Sequence, residues 1–281
     1  MSESKICTVG GFPINHSLTP HLFALVHEHL GLGWNMPLRI KTERIGELIG
    51  MEKESSQPNL EFKNNVERVT KEIEGDNFNL ELDFKLDIIS IEKEHLGLNE
   101  WGSITSPLKH QVEGSYVNCY TLDERGLRFA MTDGYGVVLV AKLFGVDFNS
   151  NPILSLKGGG SAALSTASAW LNCGGKINQI IGKRALPEEM GPRCFSNLEP
   201  DLYVDFDDSS DSRGLVLFPK YEQHQIIEEG KIDGRWMLVS QHLLAWKYLF
   251  SPENCEGLPS IELLFKRLVY LESLMDDVNN S

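Results

Sequence analysis

An apolar run that meets three consecutive glycines and then a helical repeat leaves a chain little choice of fold. Pro152-Ile153-Leu154-Ser155-Leu156 is a short apolar run of the kind that forms a buried strand. Lys157-Gly158-Gly159-Gly160-Ser161-Ala162-Ala163 comes next, and Leu164, Ala167, Trp170 and Leu171 continue at helical spacing to Asn172, where Gly174 and Gly175 end the helix. Strand, glycine turn and helix together make the beginning of a dinucleotide-binding α/β domain. Gly158, Gly160 and Ala163 fit G-x-G-x-x-A: one position for the turn, one for close backbone approach to a pyrophosphate, one for packing the helix. Gly158, Gly159, Gly160, Ser161 and Ala162 are the candidate cofactor-binding residues of this turn. Lys176 to Ile181 reads as the next strand, and its end carries Lys183 and Arg184, with no acid before Glu188. Proteins that bind NAD usually place an acid about twenty residues beyond the glycine turn. A basic group there suits the extra phosphate of NADP instead, which a guanidinium grips with paired hydrogen bonds. NADP is therefore the expected cofactor, with Lys183 or Arg184 at its phosphate.

The whole chain has 281 residues, enough for two domains. Its formal net charge of -14 argues against nucleic acid, whose phosphates demand a basic face. A small anion can still be bound by a local cluster of positive groups. The five cysteines, Cys7, Cys119, Cys173, Cys194 and Cys255, are scattered, with no C-x-x-C and no Cys/His pair at zinc spacing. No metal site is expected, and an odd number of separated thiols fits a reducing compartment. The N-terminus is too polar for a signal peptide and no apolar run approaches membrane-spanning length. The expectation is a cytoplasmic protein with no membrane partner.

Ile6-Cys7-Thr8-Val9 reads as a strand ending at Gly10-Gly11. Beyond Pro13-Ile14-Asn15-His16, Thr19 before Pro20 predicts a helix start, with the hydroxyl as N-cap and proline at the first helical position. Leu22, Phe23, Val26 and Leu30 carry the helix to Gly31. Unsatisfied N–H groups and the positive dipole end then lie beside Ser17 and Thr19, a receptor for a carboxylate. Trp34 to Ile40 is expected as a strand and Arg44 to Met51 as a short helix. From Glu52 to Asn99 the chain is charged and weakly patterned, apart from Leu80, Leu82, Phe84 and Leu86, which alternate with charged residues as in a half-buried strand.

Ser103-Ile104-Thr105-Ser106-Pro107-Leu108-Lys109 packs hydroxyls, a fixed turn and one lysine into seven residues. Pro107 locks its own φ and restricts Ser106, so the chain is stiff just before Lys109. Asn118 follows, an amide able both to donate and to accept. Thr132-Asp133-Gly134 opens an apolar helix from Val137 to Phe144. Leu202 to Phe206 and Leu215 to Phe218 read as strands, and Ile261, Leu264, Phe265, Leu268 and Leu271 as a last amphipathic helix.

Taken in order, these segments resemble the signatures of the shikimate dehydrogenase family. Gly11 to Pro20 is similar to G-x-P-I-x-H-S-x-S-P, with Thr19 for the second serine. Ser103 to Lys109 resembles N-V-T-x-P-x-K, with Ser103 for asparagine and Ile104 for valine. Asn118 matches the asparagine of V-N-T, and Met131 to Gly136 resembles N-T-D-x-x-G with Met131 for asparagine. Gly234-Arg235-Trp236-Met237-Leu238-Val239-Ser240-Gln241 resembles G-x-x-M-L-x-x-Q. The family's N-A-T is not visible near Asp205-Phe206-Asp207, and its Y-x-P has only Pro219. The stretch 52–99 is read as an insertion against the family.

The resemblance implies two α/β domains with a cleft between them: residues 1–132 completed by 235–281 for the substrate, and 133–234 as a Rossmann-like NADP-binding domain. It implies reversible NADPH-dependent reduction of 3-dehydroshikimate to shikimate. Ser17 and Thr19 would hold the substrate carboxylate, Thr105, Asn118 and Gln241 would read hydroxyls, and the catalytic Lys109 and Asp133 would flank the reacting oxygen. A quinate dehydrogenase using NAD and a non-catalytic relative that binds shikimate-like compounds are the alternatives. The partner expected is a small molecule, and the protein itself a monomer or homodimer.

Overall fold

The computed structural model describes residues 6–33, 36–49, 53, 59–79, 84–92, 99–113, 115–180, 185–187, 190, 199–207, 214–221 and 228–279. The chain divides into two compact units. One comprises Met1–Glu81, Leu86–Met131 and His242–Ser281, the other Leu82–Lys85 and Thr132–Gln241.

The first unit is built on a six-stranded sheet in the order β2-β1-β4-β5-β6-β3. Its strands are β1 (Ile6–Gly11), β2 (Leu38–Lys41), β3 (Ile88–Ile91), β4 (Glu100–Ile104), β5 (Cys119–Asp123) and β6 (Gly126–Ala130). β1 runs parallel to β2 and β4, while β5, β6 and β3 join by antiparallel pairing. Side chains alternate across such a sheet, and the two faces have different cores. Cys7 and Trp101 face helix α1 (Thr19–His29), which meets an aromatic group of Phe23, His27, His242, Trp246 and Phe250. Tyr120, Ile104 and Leu122 face the opposite way, packed with Leu48 of the short α2 (Ile45–Leu48), Leu108 and Phe129.

Helix α3 (Leu60–Glu72) lies in the stretch read as an unplaced insertion. It buries Phe62, Val66 and Val69 and packs on α1 and on the C-terminal helix α7 (Ile261–Asn279). Asn59 caps it, its side chain accepting from the Glu61 N–H at 2.9 Å. Phe84 and Leu86 are buried and alternate with exposed Lys85 and Asp87, but ladder pairing starts only at Ile88. Leu80 and Leu82 lie outside the described residues.

The second unit holds five parallel strands in the order β11-β10-β9-β7-β8. They are β7 (Ile153–Lys157), β8 (Lys176–Ile180), β9 (Leu202–Asp205), β10 (Val216–Phe218) and β11 (Lys231–Asp233). Leu154 and Leu156 are wholly buried between layers, as parallel strands covered on both faces require. Helix α4 (Asp133–Leu143) is buried from Val137 to Ala141, and α5 (Ser161–Asn172) packs against it. The contact is close because Gly134 has no side chain: a Cβ there would lie 2.1 Å from the Ser165 carbonyl oxygen. Helix α6 (Gly234–Ala245) contributes Met237 to this core and groups with the second unit through Gln241, and with the first from His242. No helix among the described residues is long and apolar enough to cross a membrane.

Candidate active site

In the first unit the candidate residues sit at the carboxyl ends of the parallel strands. β1 and β4 are in register from Ile6–Glu100 to Gly10–Ile104, so their ends emerge together. The Thr105 N–H donates to the Gly10 carbonyl at 2.9 Å, its hydroxyl donates to the same oxygen at 3.2 Å, and the Phe12 N–H donates to the Ser106 carbonyl at 2.9 Å. These bonds join the loop that leads to Ser17 and Thr19 with the turn that leads to Lys109. Gly11, at φ +152°, permits the contact, since a Cβ there would fall 2.0 Å from the Thr105 hydroxyl oxygen. The Thr105 hydroxyl has two backbone carbonyls within reach of its one proton, Gly10 at 3.2 Å and Ser106 at 3.4 Å, and keeps its lone pairs to accept from a ligand.

Lys109 lies in a single 3-10 turn, Leu108–His110, after the Ser106–Pro107 cis peptide. Leu108 is fully buried and anchors that turn, and the Lys109 carbonyl accepts from the Val117 N–H at 2.8 Å. Asn118 is next in line: its carbonyl accepts from the Ile104 N–H at 2.7 Å and its N–H donates to the Ala130 carbonyl at 3.0 Å. The structure thus gathers Thr105, Lys109 and Asn118 at one end of β4 and β5.

The start of α1 differs from expectation. Leu18 is the N-cap and has no side-chain capping bond, so Thr19 and Pro20 are the first two helical residues. Proline supplies no N–H, the His21 and Leu22 N–H groups both donate to the Leu18 carbonyl at 3.0 and 3.3 Å, and the Thr19 N–H reaches the Ser17 hydroxyl at 3.4 Å. The helix end therefore offers few donors to a carboxylate; Ser17 and Thr19, only 4% and 5% exposed, offer hydroxyls. Arg39 on β2, absent from the sequence reading, donates from Nη2 to the Ser17 carbonyl at 3.0 Å. Its signal in the sequence is an Arg39-x-Lys41 alternation, which puts two cations on one face of a strand.

In the second unit Asp133 is the first residue of α4 and 1% exposed. The same turn is held by the Ser165 hydroxyl, which accepts from the Gly134 N–H at 2.9 Å. One turn on, Gly136 packs against α6, where a Cβ would lie 3.1 Å from the Gln241 backbone nitrogen. The first turn of α4 thus brings the helices carrying Asp133, Gln241 and the glycine turn together.

That turn follows β7, whose neighbours on either side are β8 and β9, the point at which strand order reverses. Gly158 has φ +109°, open only to glycine, and a Cβ there would lie 3.0 Å from Phe206 Cβ and 3.7 Å from Asp207 Oδ1. Gly160 caps α5 without a side-chain bond, and a Cβ on it would meet nothing within 4 Å. The crowded side of the turn is at Gly158 and the open side at Gly160, where Ser161 and Ala162 begin the helix. That open side, at the N-terminus of α5, is where the turn has room for a ligand group. Asp207 lies close behind the Gly158 side of the turn, its N–H donating to Asp205 Oδ1 at 2.8 Å. Lys183 and Arg184 lie outside the described residues.

No family model and no curated protein matches the chain. Solved structures do. The shikimate 5-dehydrogenase of Thermus thermophilus, in complex with NADP(H) and shikimate, is similar over 95% of this chain and 99% of its own, with TM-score 0.64 and 18% identity. The shikimate 5-dehydrogenase of Listeria monocytogenes, in complex with shikimate and NAD, is similar over 98% and 97%, with TM-score 0.60 and 15% identity. The 5-ketofructose reductase of a Gluconobacter species is similar over 95% and 99%, with TM-score 0.58 and 13% identity. The similarity runs end to end in both chains, and within the stretch 52–99 helix α3 is part of the first unit's packing, against α1 and α7. The chain has the two-domain α/β fold, with a Rossmann-like parallel sheet, of these dehydrogenases and reductases.

Proposed function

We propose that this protein is an oxidoreductase of the shikimate dehydrogenase family that reduces 3-dehydroshikimate to shikimate, reversibly, with NADPH. The observation that carries the reading is the junction at Gly10, Gly11 and Thr105. It ties a hydroxyl-bearing loop to a lysine-bearing turn at the ends of two parallel strands. A hydroxylated ring acid is a ligand with the matching groups, a carboxylate for Ser17 and Thr19 and hydroxyls for Thr105, Asn118 and Gln241.

A bound nicotinamide would supply the hydride. The chain's own task is placement and proton traffic. Lys109 would donate the proton that the substrate oxygen needs as it becomes an alkoxide, and Asp133 would hold the ammonium in place and accept from the hydroxyl once it has formed. Gly159, Gly160, Ser161 and Ala162 would meet the pyrophosphate. NADP rather than NAD rests on Lys183 and Arg184 in a segment without an acid before Glu188.

A second reading, a relative that binds shikimate-like compounds without catalysis, is favoured by the missing tyrosine of the family's Y-x-P, of which only Pro219 is present. One assay separates the readings: absorbance at the reduced-nicotinamide band with shikimate or quinate as reductant and NADP or NAD as acceptor. Turnover with shikimate and NADP supports the proposal. Turnover only with quinate and NAD replaces it, and shikimate binding without turnover with either cofactor supports the second reading.

A further inference from the structure

We propose that Arg39 is a specificity residue for the substrate carboxylate, supplying the positive charge that the start of α1 does not. The proposal rests on the carboxylate being held at Ser17 and Thr19, as in the function proposed above. An anion at a helix start is ordinarily held by unsatisfied N–H groups. Here Pro20 lacks one, the Leu18 carbonyl takes those of His21 and Leu22, and the Thr19 N–H is turned to the Ser17 hydroxyl. Two hydroxyls remain, and neutral hydroxyls alone discriminate poorly between a carboxylate and an uncharged isostere.

Arg39 is placed to make that discrimination. It stands opposite Val9 in the parallel pairing of β1 and β2, and its Nη2 reaches the Ser17 carbonyl at 3.0 Å. That bond holds the guanidinium at the Ser17 backbone, and a guanidinium has a planar fork of donors suited to a carboxylate. The residue is solvent-exposed, so a ligand can reach it. His21, in the first turn of the helix, adds no competing charge: burial and then the Arg39 charge lower its pKa to about 4, so its ring is neutral near pH 7. In a chain of net charge -14 the guanidinium brings a positive group to the backbone of Ser17, whose hydroxyl and that of Thr19 belong to buried residues. Lys41, on the same face of β2, lies over the Phe12 ring at 4.8 Å and extends it.

The test is calorimetric binding of shikimate and of its methyl ester, which keeps the ring and hydroxyls but not the charge, to the wild type, Arg39→Gln and Arg39→Lys. Gln keeps an N–H for the Ser17 carbonyl, and circular dichroism checks that each variant is folded. Arg39→Gln should weaken shikimate about 10- to 100-fold, the range of a hydrogen bond to a charged group. It should leave the ester within about twofold, and Arg39→Lys should recover part of the loss. An equal loss for acid and ester, or no loss for the acid, overturns the role of Arg39 alone. A folded wild type that binds neither compound overturns the proposed function and this inference with it.

Discussion

Thr105 grips the carbonyl of Gly10 twice, through its N–H at 2.9 Å and its hydroxyl at 3.2 Å, and the space for that grip exists because Gly11 has no side chain. A methyl group at Gly11 would lie 2.0 Å from the Thr105 hydroxyl oxygen and 2.8 Å from the Ser106 carbonyl, on a backbone at φ +152° that side chains rarely adopt. Gly11→Ala is therefore expected to cost about 1–3 kcal/mol of stability from strain alone. It should also weaken shikimate binding, because the two loops can no longer lie together. Urea unfolding and calorimetry read the two effects, and a variant with unchanged midpoint and affinity would show that the junction is not needed.

A second relationship lies on the Tyr120 side of the same sheet. Glu100 Oε1 accepts from the Thr8 hydroxyl at 3.0 Å, from the Lys53 ammonium and from the Tyr120 hydroxyl. Both ion-pair side chains are buried, 5% and 3% exposed. Burial and then the neighbouring carboxylate push the Tyr120 phenol well above its ordinary range, so it remains a donor at any working pH. Removing one partner of a buried pair strands the other, so Glu100→Gln should lose about 3–5 kcal/mol. Adding Lys53→Met should recover part of it. Chemical denaturation of the two variants decides; a double variant worse than the single would contradict the account.

Sequence pattern exposes what is local and periodic, and the contrast between elements shows why. β7, the glycine turn and α5 are legible because Leu154, Leu156, Ala167 and Trp170 mark the periods and the glycines mark the ends. Helix α3 carries an equally regular Phe62, Val66 and Val69 stripe behind an Asn59 cap, yet it is surrounded by Lys and Glu that make the stretch look unstructured. Its partners are α1 and α7, far away in sequence, and only the tertiary fold reveals the stripe as a core face. β11 has three residues and one apolar side chain, too few for any period. Within the site, Ser17, Thr19 and Lys109 stand out as residue types. That Leu18 rather than Thr19 caps α1 turns on a backbone conformation one residue away, finer than residue type alone resolves at a helix terminus. Arg39 looks like any solvated strand cation until its bond to Ser17 is seen.

Two histidines in the aromatic core make the protein sensitive to acid. His27 and His242 are 1% and 3% exposed, and burial lowers their pKa values from the ordinary 6.5 to about 4 and about 3. The indole N–H of Trp246 donates to His242 Nε2 at 3.0 Å, a bond that needs the neutral ring. Below pH 6.5 the unfolded chain takes up protons that the folded chain refuses, so stability falls as pH drops toward 4. At about pH 5 each ring should contribute a loss of about 2 kcal/mol. His242→Gln keeps an acceptor for the indole without a titrating ring. It should be less stable at neutral pH yet lose less than the wild type between about pH 7 and 5. Urea midpoints at the two pH values test this, and a flat wild-type profile over that interval would refute it.

The proposed chemistry stands or falls with Lys109 and Asp133, which belong to different units of the chain. Each is held by its own frame. Leu108 and the Val117 N–H fix the Lys109 turn, and the Gly134–Ser165 contact fixes the start of α4 at Asp133. Lys109→Ala and Asp133→Asn leave these backbone contacts in place, and circular dichroism checks that each variant is folded. Lys109→Ala should then lower turnover about 10²- to 10⁴-fold, the loss that follows removal of a general acid–base group. Shikimate should still bind, since its carboxylate would be held at Ser17 and Thr19. Asp133→Asn keeps the shape of the first turn of α4 and should also be impaired in turnover more than in binding. If the two act as a unit, the double variant should be little worse than the more damaged single, because effects of groups that act together are not additive. Losses that multiply would mean that Lys109 and Asp133 act independently. Near-normal turnover in a folded Lys109→Ala protein would remove lysine from the chemistry and leave the proton to another donor.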